Sequence, residues 1–383
     1  MRLEKLVYDS RNLSNHLAIM EIIFDPQIFS LQKFGGISRY VSELALSIFN
    51  LRQTGVEIFC PRYSSQYLKW VPPGVFSNGE DVSEKRMWSY RRFFYTESNL
   101  ALYIRRLKQK QFDVTHHTYY WPLPDKLPVR ARVTTIHDMI DEIVVPNPVK
   151  SRLKLRSVQQ ADHVICVSNY TRSLLLDLYN VSPEKVSVVY LGKPEIKREG
   201  VRWAIKERPY ILFVGSRTGY KNFYRLLTAY TTSRNLKRDF RIVCFGGGPF
   251  TSDEMTIFID LKIAQDDMVH LNGDDMLLHS VYRGAALFVY PSLCEGFGLP
   301  PLEAMALGTP VVCSNVTSIP EIVGGAGEYF EPVEIDSIRH AIENVLYSDI
   351  RRQELTKAGY KRAASFSWEK CASETLGIYS TII

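Results

Sequence analysis

The sequence predicts an α/β protein in which two Rossmann-like, doubly wound domains face a cleft. Short apolar runs of strand type alternate with helical patterns along most of its 383 residues, and this alternation is typical of a parallel sheet covered by helices. The alternation begins again at Tyr210, after a charged, proline-bounded segment at 193–209. The length also suits two or three domains of about 100–200 residues each.

The first half of the chain carries the first alternation. Residues 1–19 show no clear pattern, so we treat them as an extension without an assigned role. We expect the first domain to span 20–192. Its strands are expected at 21–25, 56–60, 112–116, 131–136, 163–168 and 186–190, with helices near 40–48, 151–161 and 170–180.

The second half repeats the alternation without a close internal sequence repeat. The segment 193–209 is interpreted as a linker, and 210–366 as the second domain. Another helix is expected at 368–379. The strands of this half are expected at 210–214, 240–245, 268–271, 286–290 and 310–313.

The most informative stretch follows the strand expected at 286–290. Pro300 and Pro301 favour the start of a helix, and ligands of open parallel sheets lie beyond the carboxyl ends of the strands. The free N–H groups of that helix favour a phosphate. Glu295 precedes the helix and Glu303 lies near its start. Glu303 could simply complement the helix dipole, but two carboxylates beside a phosphate site also suit ribose and hexose hydroxyls. This layout predicts a nucleotide-sugar site.

The stretch at 295–312, EGFGLPPLEAMALGTPVV, closely resembles the two-glutamate motif of family-4 retaining glycosyltransferases, which have the GT-B fold. The resemblance implies that Glu295 contacts the donor sugar and that Glu303 binds the ribose. Phe297, Gly298 and Leu299 would offer backbone amides to the sugar and the diphosphate. It also implies that the last segment, 367–383, crosses back to the first domain, and that no divalent metal is needed.

A second motif, VGSRTGYKN at 214–222, forms a strand end, a turn and a helix start. A lysine beside the cleft can hold a diphosphate, although Lys221 could also be a solvated lysine. The family often has an arginine and a Lys-Asn pair here. Lys221 and Asn222 match, while Ser216 stands at one usual arginine position, and we assign the missing guanidinium to Arg217. Gly215, Ser216 and Asn222 are therefore expected at the donor.

Three further sites are predicted from strand ends. Gly35 and Gly36 resemble the glycine loop that lies beside the diphosphate in the family, although a simple turn would explain them equally well. His137 resembles the histidine near the donor hexose, and Asp138 could orient its imidazole or cap a helix. Gly246 opens a GGGP turn that resembles a loop near the nucleotide, or is only a turn. The run GGISRY at 35–40 matches a subgroup pattern whose role we did not derive.

The segment 84–111 mixes basic and aromatic residues. Such a segment can lie on an anionic membrane surface, or it can be an ordinary helical region with a solvated face. Nucleic-acid binding would use similar residues, but nothing else in the sequence supports it, so no nucleic-acid partner is expected.

Composition limits the setting of the protein. The net charge of +6 is modest, and the six cysteines show no metal-binding spacing, which favours reduced thiols. The sequence has no apolar run long enough to span a membrane and no signal-peptide core at its start. We expect a cytoplasmic protein with peripheral contact to the cytoplasmic face of the inner membrane.

Together these patterns predict a retaining hexosyltransferase that needs no cofactor and no metal. The GGISRY and Lys-Asn features resemble bacterial mannosyltransferases of O-antigen and polysaccharide synthesis, which makes GDP-mannose the leading donor. UDP-hexose, UDP-N-acetylhexosamine and dTDP-rhamnose remain open. The acceptor is expected to be a glycan or a lipid-linked saccharide. A sugar-nucleotide epimerase, a phosphorylase and a non-catalytic nucleotide-sugar-binding subunit are the alternatives.

Overall fold

The computed structural model describes residues 20–51, 54–76, 78–84, 88–195 and 208–383, and for residues 88–92 it gives the helical backbone alone. The expected extension at 1–19 and most of the expected linker at 193–209 lie outside these residues. Each half is a parallel sheet surrounded by helices, which confirms the predicted fold class.

The first domain is built around a parallel sheet. The strands in its described part are β1 (Met20–Phe24), β2 (Thr54–Ile58), β3 (Arg62–Tyr63), β4 (Glu80–Asp81), β5 (Phe112–His117), β6 (Val129–Ile136), β7 (His163–Cys166) and β8 (Val186–Val188). The helices are α1 (Gln27–Leu31), α2 (Gly36–Asn50), α3 (Trp88–Gln109), α4 (Ile140–Ile143), α5 (Pro148–Gln160) and α6 (Asn169–Leu178). The sheet order is β2-β1-β5-β6-β7-β8, and β3 pairs separately with β4. The loops after β1, β5, β6 and β7 therefore meet at one edge.

The second domain has the same architecture. Its strands are β9 (Tyr210–Val214), β10 (Arg241–Phe245), β11 (Met268–Leu271), β12 (Leu287–Tyr290), β13 (Val311–Ser314) and β14 (Gly327–Phe330). The helices from here to the C-terminus are α7 (Phe223–Thr232), α8 (Arg234–Asp239), α9 (Ser252–Asp260), α10 (Asp275–Gly284), α11 (Leu299–Ala306), α12 (Ile319–Val323), α13 (Ile335–Leu346), α14 (Asp349–Ala363) and α15 (Trp368–Ile382). The sheet order is β11-β10-β9-β12-β13-β14.

The strands are apolar on both faces because helices cover both sides of each sheet. In β9, Ile211 and Leu212 are both fully buried, and they belong to different core clusters because successive side chains point to opposite faces. Polar caps set where helices begin. Thr251 and Glu254 form a capping box at α9, and Asn147 caps α5 just before Pro148.

The strands expected from the sequence are all present, and their ends lie within two residues of the expected positions. The sequence analysis missed β14 and the short β3–β4 pair. β14 is only 4 residues long, and it follows directly on the glycines Gly324 and Gly325, so its pattern resembles a loop.

The last helix, α15, packs on the first domain. The indole of Trp368 lies 6.2 Å from the ring of Tyr40. Nearer the C-terminus, the hydroxyl of Tyr379 is 2.5 Å from Nδ1 of the buried His116. One core cluster therefore runs through α2, the second domain and α15, and this packing holds the two sheets on either side of a cleft.

Candidate active site

A cleft of about 480 Å³ separates the carboxyl ends of the two sheets. Both domains contribute its walls, as the rule for open parallel sheets predicts. Most of the site residues that the sequence predicted line this cleft: Gly35, Gly36, His137, Gly215, Lys221, Gly246, Glu295, Phe297, Gly298, Leu299 and Glu303.

Lys221 and Glu295 form an ion pair at one end of the cleft. Nζ of Lys221 lies 2.7 Å from Oε1 of Glu295, and both side chains are largely buried. The ammonium also lies 5.5 Å from the ring centre of Tyr290. The site therefore holds a cation and a carboxylate side by side, and these groups can bind an anion and a hydroxyl group, respectively.

The loop that carries Glu295 is fixed from both domains. The hydroxyl of Ser318 donates to the carbonyls of Glu295 and Phe297, at 2.9 and 3.0 Å. From the first domain, the hydroxyl of Ser168 donates to the carbonyl of Gly296 at 2.6 Å. A Cβ on Gly296 would stand 1.7 Å from the carbonyl oxygen of His137. Only glycine fits at this close approach between the domains.

Glu321 strengthens the same domain contact. Its carboxylate accepts hydrogen bonds from the backbone N–H groups of Asn169 and Tyr170, at 2.7 and 3.2 Å, and from the hydroxyl of Tyr190 at 2.8 Å. A carboxylate at a helix N-terminus is stabilised by the helix dipole. A residue of the second domain thus caps α6 of the first.

His137 presents a neutral imidazole to the cleft. Burial, together with the nearby Lys154, lowers its pKa to about 3. Its Nε2 is buried and has no hydrogen-bond partner within the part of the chain that the structure describes. A neutral ring nitrogen in this position can bond a sugar hydroxyl. Asp138 forms no hydrogen bond with this ring within the described residues. Its Oδ1 accepts from the N–H of Ile140, the first residue of α4, at 3.1 Å.

Glu303 also lines the cleft and is almost fully buried. Its Oε1 is 2.5 Å from Nη1 of Arg39, and its Oε2 accepts from the hydroxyl of Tyr282 at 3.1 Å. Burial raises the pKa of Glu303, and Arg39 partly offsets this. Nη2 of Arg39 also lies 3.7 Å from Asp275. The GGISRY pattern thus has a structural role, since its arginine reaches the second domain.

The helices α2 and α11 both begin at the cleft. Neither helix has an acidic residue in its first turn. α11 begins at Leu299, one residue earlier than the sequence suggested, so Glu303 lies beyond the first turn. The interpretation that Glu303 only complements the helix dipole is therefore weakened, because that effect is confined to the first turn. Both helix ends can bind an anion.

The structure keeps Arg217 out of the cleft lining. Its guanidinium donates to the carbonyls of Gly246, Gly248 and Pro249, at 3.0, 2.9 and 3.1 Å, and pairs with Glu254 at 2.6 Å. These bonds occupy the N–H groups of the guanidinium and hold the turn after β10 in place. The placement does not support a diphosphate role for Arg217, and it makes Arg217 a positioning residue for the Gly246 turn.

Ser216 and Asn222 are also absent from the cleft lining. The exposed hydroxyl of Ser216 bonds Thr218. Asn222 is buried with a left-handed backbone, and its amide donates to the carbonyls of Pro291 and Pro332, at 3.0 and 2.7 Å. Asn222 therefore ties β9 to neighbouring strand ends, which sets the position of Lys221 without contact to a ligand.

The sequence analysis missed several residues that build the site. It gave no role to Arg39 or Glu321, and it did not single out Tyr282 or Ser168. The GGISRY match was the one usable signal for Arg39. Within the described residues, no three His, Cys, Asp or Glu side chains are grouped to hold a metal ion, and metal independence stays a prediction.

Two protein-family models match the chain. The one described as Glycosyltransferase Family 4 matches residues 34–193, and the one described as Glycosyl transferases group 1 matches residues 196–362. Every residue of the cleft described above lies within one of these two matches.

Similar proteins include two named bacterial enzymes. The O-antigen chain mannosyltransferase B of Escherichia coli is 28% identical over 392 aligned positions, covering 95% of this chain and 100% of that protein. The O-antigen chain mannosyltransferase RfbU of Salmonella typhimurium is 29% identical over 303 positions, covering 75% of this chain and 81% of that protein. A solved glycosyltransferase from Rickettsia africae has a TM-score of 0.68 at 18% identity, over 95% of this chain and 98% of that one. That likeness concerns the fold alone.

Proposed function

Since the chain belongs to glycosyltransferase family 4, has the GT-B fold and is therefore an enzyme that transfers a sugar, we propose that it moves mannose from GDP-mannose to a saccharide acceptor with retention of anomeric configuration. The proposed setting is bacterial surface-polysaccharide synthesis. The names of the two bacterial relatives support mannose and O-antigen.

One observation carries the proposal. The Lys221–Glu295 pair, with its 2.7 Å separation, lies on the same cleft wall as Glu303. A donor that places its ribose at Glu303 and its hexose at Glu295 brings its diphosphate to Lys221 and to the start of α11. The charge pattern of the cleft matches the order of groups in a nucleotide-sugar.

The proposed reaction exchanges one C–O bond for another. The bond between the anomeric carbon and the diphosphate oxygen breaks, while an acceptor hydroxyl attacks from the same face. Its proton passes to the departing phosphate oxygen. Lys221 and the N-termini of α2 and α11 stabilise the charge that develops on the diphosphate. Glu295 and the neutral His137 hold the hexose hydroxyls.

We propose that the acceptor is lipid-linked and that the first domain approaches the inner membrane from the cytoplasmic side. α3 exposes Phe93 and Phe94, with 51% and 65% of each residue accessible, and Arg105 and Lys108 are exposed on the same helix. Aromatic and basic residues together suit an anionic interface. The side chains at 88–92, part of the segment singled out in the sequence, lie outside the described residues. No described helix is long and apolar enough to cross a membrane.

Calorimetric titration with GDP, UDP and dTDP in metal-free buffer tests the donor assignment. We expect GDP to bind at least about tenfold more tightly than the other two, a difference of about 1.4 kcal/mol. Tighter binding of UDP or dTDP would move the proposal to the corresponding donor. Absence of binding by all three would contradict the proposed site.

Flotation with phosphatidylglycerol vesicles tests the membrane proposal, because the double variant Phe93→Ser, Phe94→Ser should not bind to the vesicles.

A further inference from the structure

The donor assignments leave two carboxylates of the cleft unused, Asp138 and Asp275, and Asp275 lies beside the guanidinium of Arg39. Asp138 lines the first-domain wall at the end where Lys221 and Glu295 lie. Its side chain is 33% exposed. The Oδ1 atom accepts from the N–H of Ile140 at 3.1 Å and lies 3.8 Å from Nζ of Lys154. Oδ2 accepts no hydrogen bond within the described residues, so it is the acceptor that remains for a ligand.

The backbone of Asp138 lies directly against the Glu295 loop. Its Cα is 2.9 Å from the position that a Cβ on Gly296 would occupy. Asp138 and Glu295 therefore approach the same space from opposite domains.

A buried support fixes Asp138. The ammonium of Lys154 is 1% exposed and donates to the carbonyl of Asp138 at 2.9 Å and to Glu142 at 2.8 Å. Glu142 also accepts from the hydroxyl of Tyr179 at 2.7 Å. This network orders the turn that carries the carboxylate, so the position of Asp138 is built into the fold.

The charges around the space between Asp138 and Glu295 indicate which kind of group can bind there. The two carboxylates disfavour an anion, and the diphosphate of the donor is expected to bind at Lys221. A neutral hydroxyl can donate to a carboxylate without that repulsion. We propose that Asp138 binds the acceptor saccharide by accepting a hydrogen bond from one of its hydroxyls beside the donor hexose. This inference rests on the proposed glycosyl transfer and adds an acceptor-binding residue to it.

The Asp138→Asn variant separates this role from a merely structural one. Asparagine keeps an oxygen for the N–H of Ile140 and removes the charge. The assay uses GDP-mannose, UDP-glucose, UDP-N-acetylglucosamine and dTDP-rhamnose as donors, with methyl glycosides of mannose, glucose, galactose and N-acetylglucosamine as acceptors. Donor hydrolysis without acceptor is measured in parallel. Asp138→Ser is a second variant, whose hydroxyl oxygen can also accept from the N–H of Ile140. Asp141→Asn is the matched control on the same turn, outside the cleft lining.

We expect kcat/KM for the acceptor to fall at least about tenfold in both Asp138 variants, while donor KM and donor hydrolysis stay within about twofold. Asp141→Asn should match the wild type. Unchanged acceptor kinetics, or an equal rise in donor KM, would overturn the inference. If the wild type transferred a sugar from a donor other than GDP-mannose, only the mannose assignment would be wrong. The Asp138 variants would then be compared with the wild type using that donor. If the wild type turned over none of the donors, both proposals would fail.

Discussion

Arg39 of the first domain and Glu303 of the second lie 2.5 Å apart, and this ion pair joins the domains across the cleft. Both side chains are less than one-tenth exposed. The residue expected to hold the ribose is thus already paired with a cation of the other domain. Arg39 fixes the direction of the Glu303 carboxylate, and Tyr282 holds its second oxygen.

Replacing Arg39 by alanine should destabilise the protein. The change leaves a buried carboxylate without its cation, which costs about 3–5 kcal/mol in comparable sites. Urea unfolding measures the loss. The Arg39→Ala, Glu303→Gln double variant should recover part of it because the remaining group is neutral. A single variant as stable as the wild type would contradict the structural importance of the pair.

The Glu303→Ala variant should lose the preference for GDP over a GDP analogue whose ribose lacks the 2′- and 3′-hydroxyls. Hydrogen bonds to a charged group contribute about 1.5–3 kcal/mol, so the wild type should bind GDP at least about tenfold more tightly than 2′,3′-dideoxy-GDP. The variant should bind the two equally in a calorimetric titration. If the variant kept the preference for GDP, the ribose would lie elsewhere.

Gly296→Ala should prevent the domains from closing. The new methyl group would overlap the carbonyl of His137, since its carbon would lie only 1.7 Å from the carbonyl oxygen. We expect turnover to fall at least about a hundredfold, because displacement of a catalytic group by about 1 Å can have that effect. Small-angle scattering should show a more open particle. Gly325→Ala is the matched control, since no atom of the described residues beyond its chain neighbours lies within 4 Å of its Cβ position, and it should behave like the wild type.

Stability should fall as the pH is lowered from neutrality. Burial lowers the pKa of His116, His117 and His137 to about 3 in the folded protein. In the unfolded chain these pKa values are about 6.5, so the unfolded chain binds more protons than the folded protein between about pH 3 and pH 6.5. Their contribution is complete above pH ~6.5 and is lost progressively as the pH falls toward 3. Asp25 opposes this, because burial raises its pKa to about 6.

Burial also lowers the pKa of His163 and His279, and it raises the pKa of Asp138 and Glu303. The imidazoles outnumber the carboxyls, so the net slope near pH 5 should be at least about 1.4 kcal/mol per pH unit. Urea unfolding at pH 7, 6 and 5 measures it. His117→Asn should reduce the slope by about 1.4 kcal/mol per pH unit. A stability that is constant or rises on acidification would show that these imidazoles are protonated in the folded protein.

The sequence predicted the parts of the fold that depend on local pattern. The strands are short apolar runs bounded by polar or glycine residues, and a parallel sheet buries such runs on both faces. The stretch at 295–312 was equally informative because its glycines, prolines and glutamates are contiguous. Lys221, placed at a strand end by the same reasoning, lies in the cleft beside Glu295.

The remaining features depend on contacts between distant segments. Arg39 and Glu303 are separated by 264 positions, and their pairing follows from how the domains pack. Arg217 was assigned to the diphosphate because it could supply the guanidinium that the resembling family usually has in this motif. It lies instead against the turn after β10, where three backbone carbonyls need donors. Unsatisfied carbonyls of a glycine turn cannot be identified from the sequence, because they depend on its backbone conformation.

The most direct test of the proposed function is transfer from GDP-mannose by the wild type and by Lys221→Met, with the anomeric configuration of the product determined by NMR. The account predicts an α-linked mannoside, and a fall in kcat of about a hundredfold to a thousandfold in the variant, the usual effect of removing one group that stabilises transition-state charge. Lys357→Met, at an exposed lysine of α14, should retain wild-type turnover. A β-linked product, or full activity in Lys221→Met, would contradict the account.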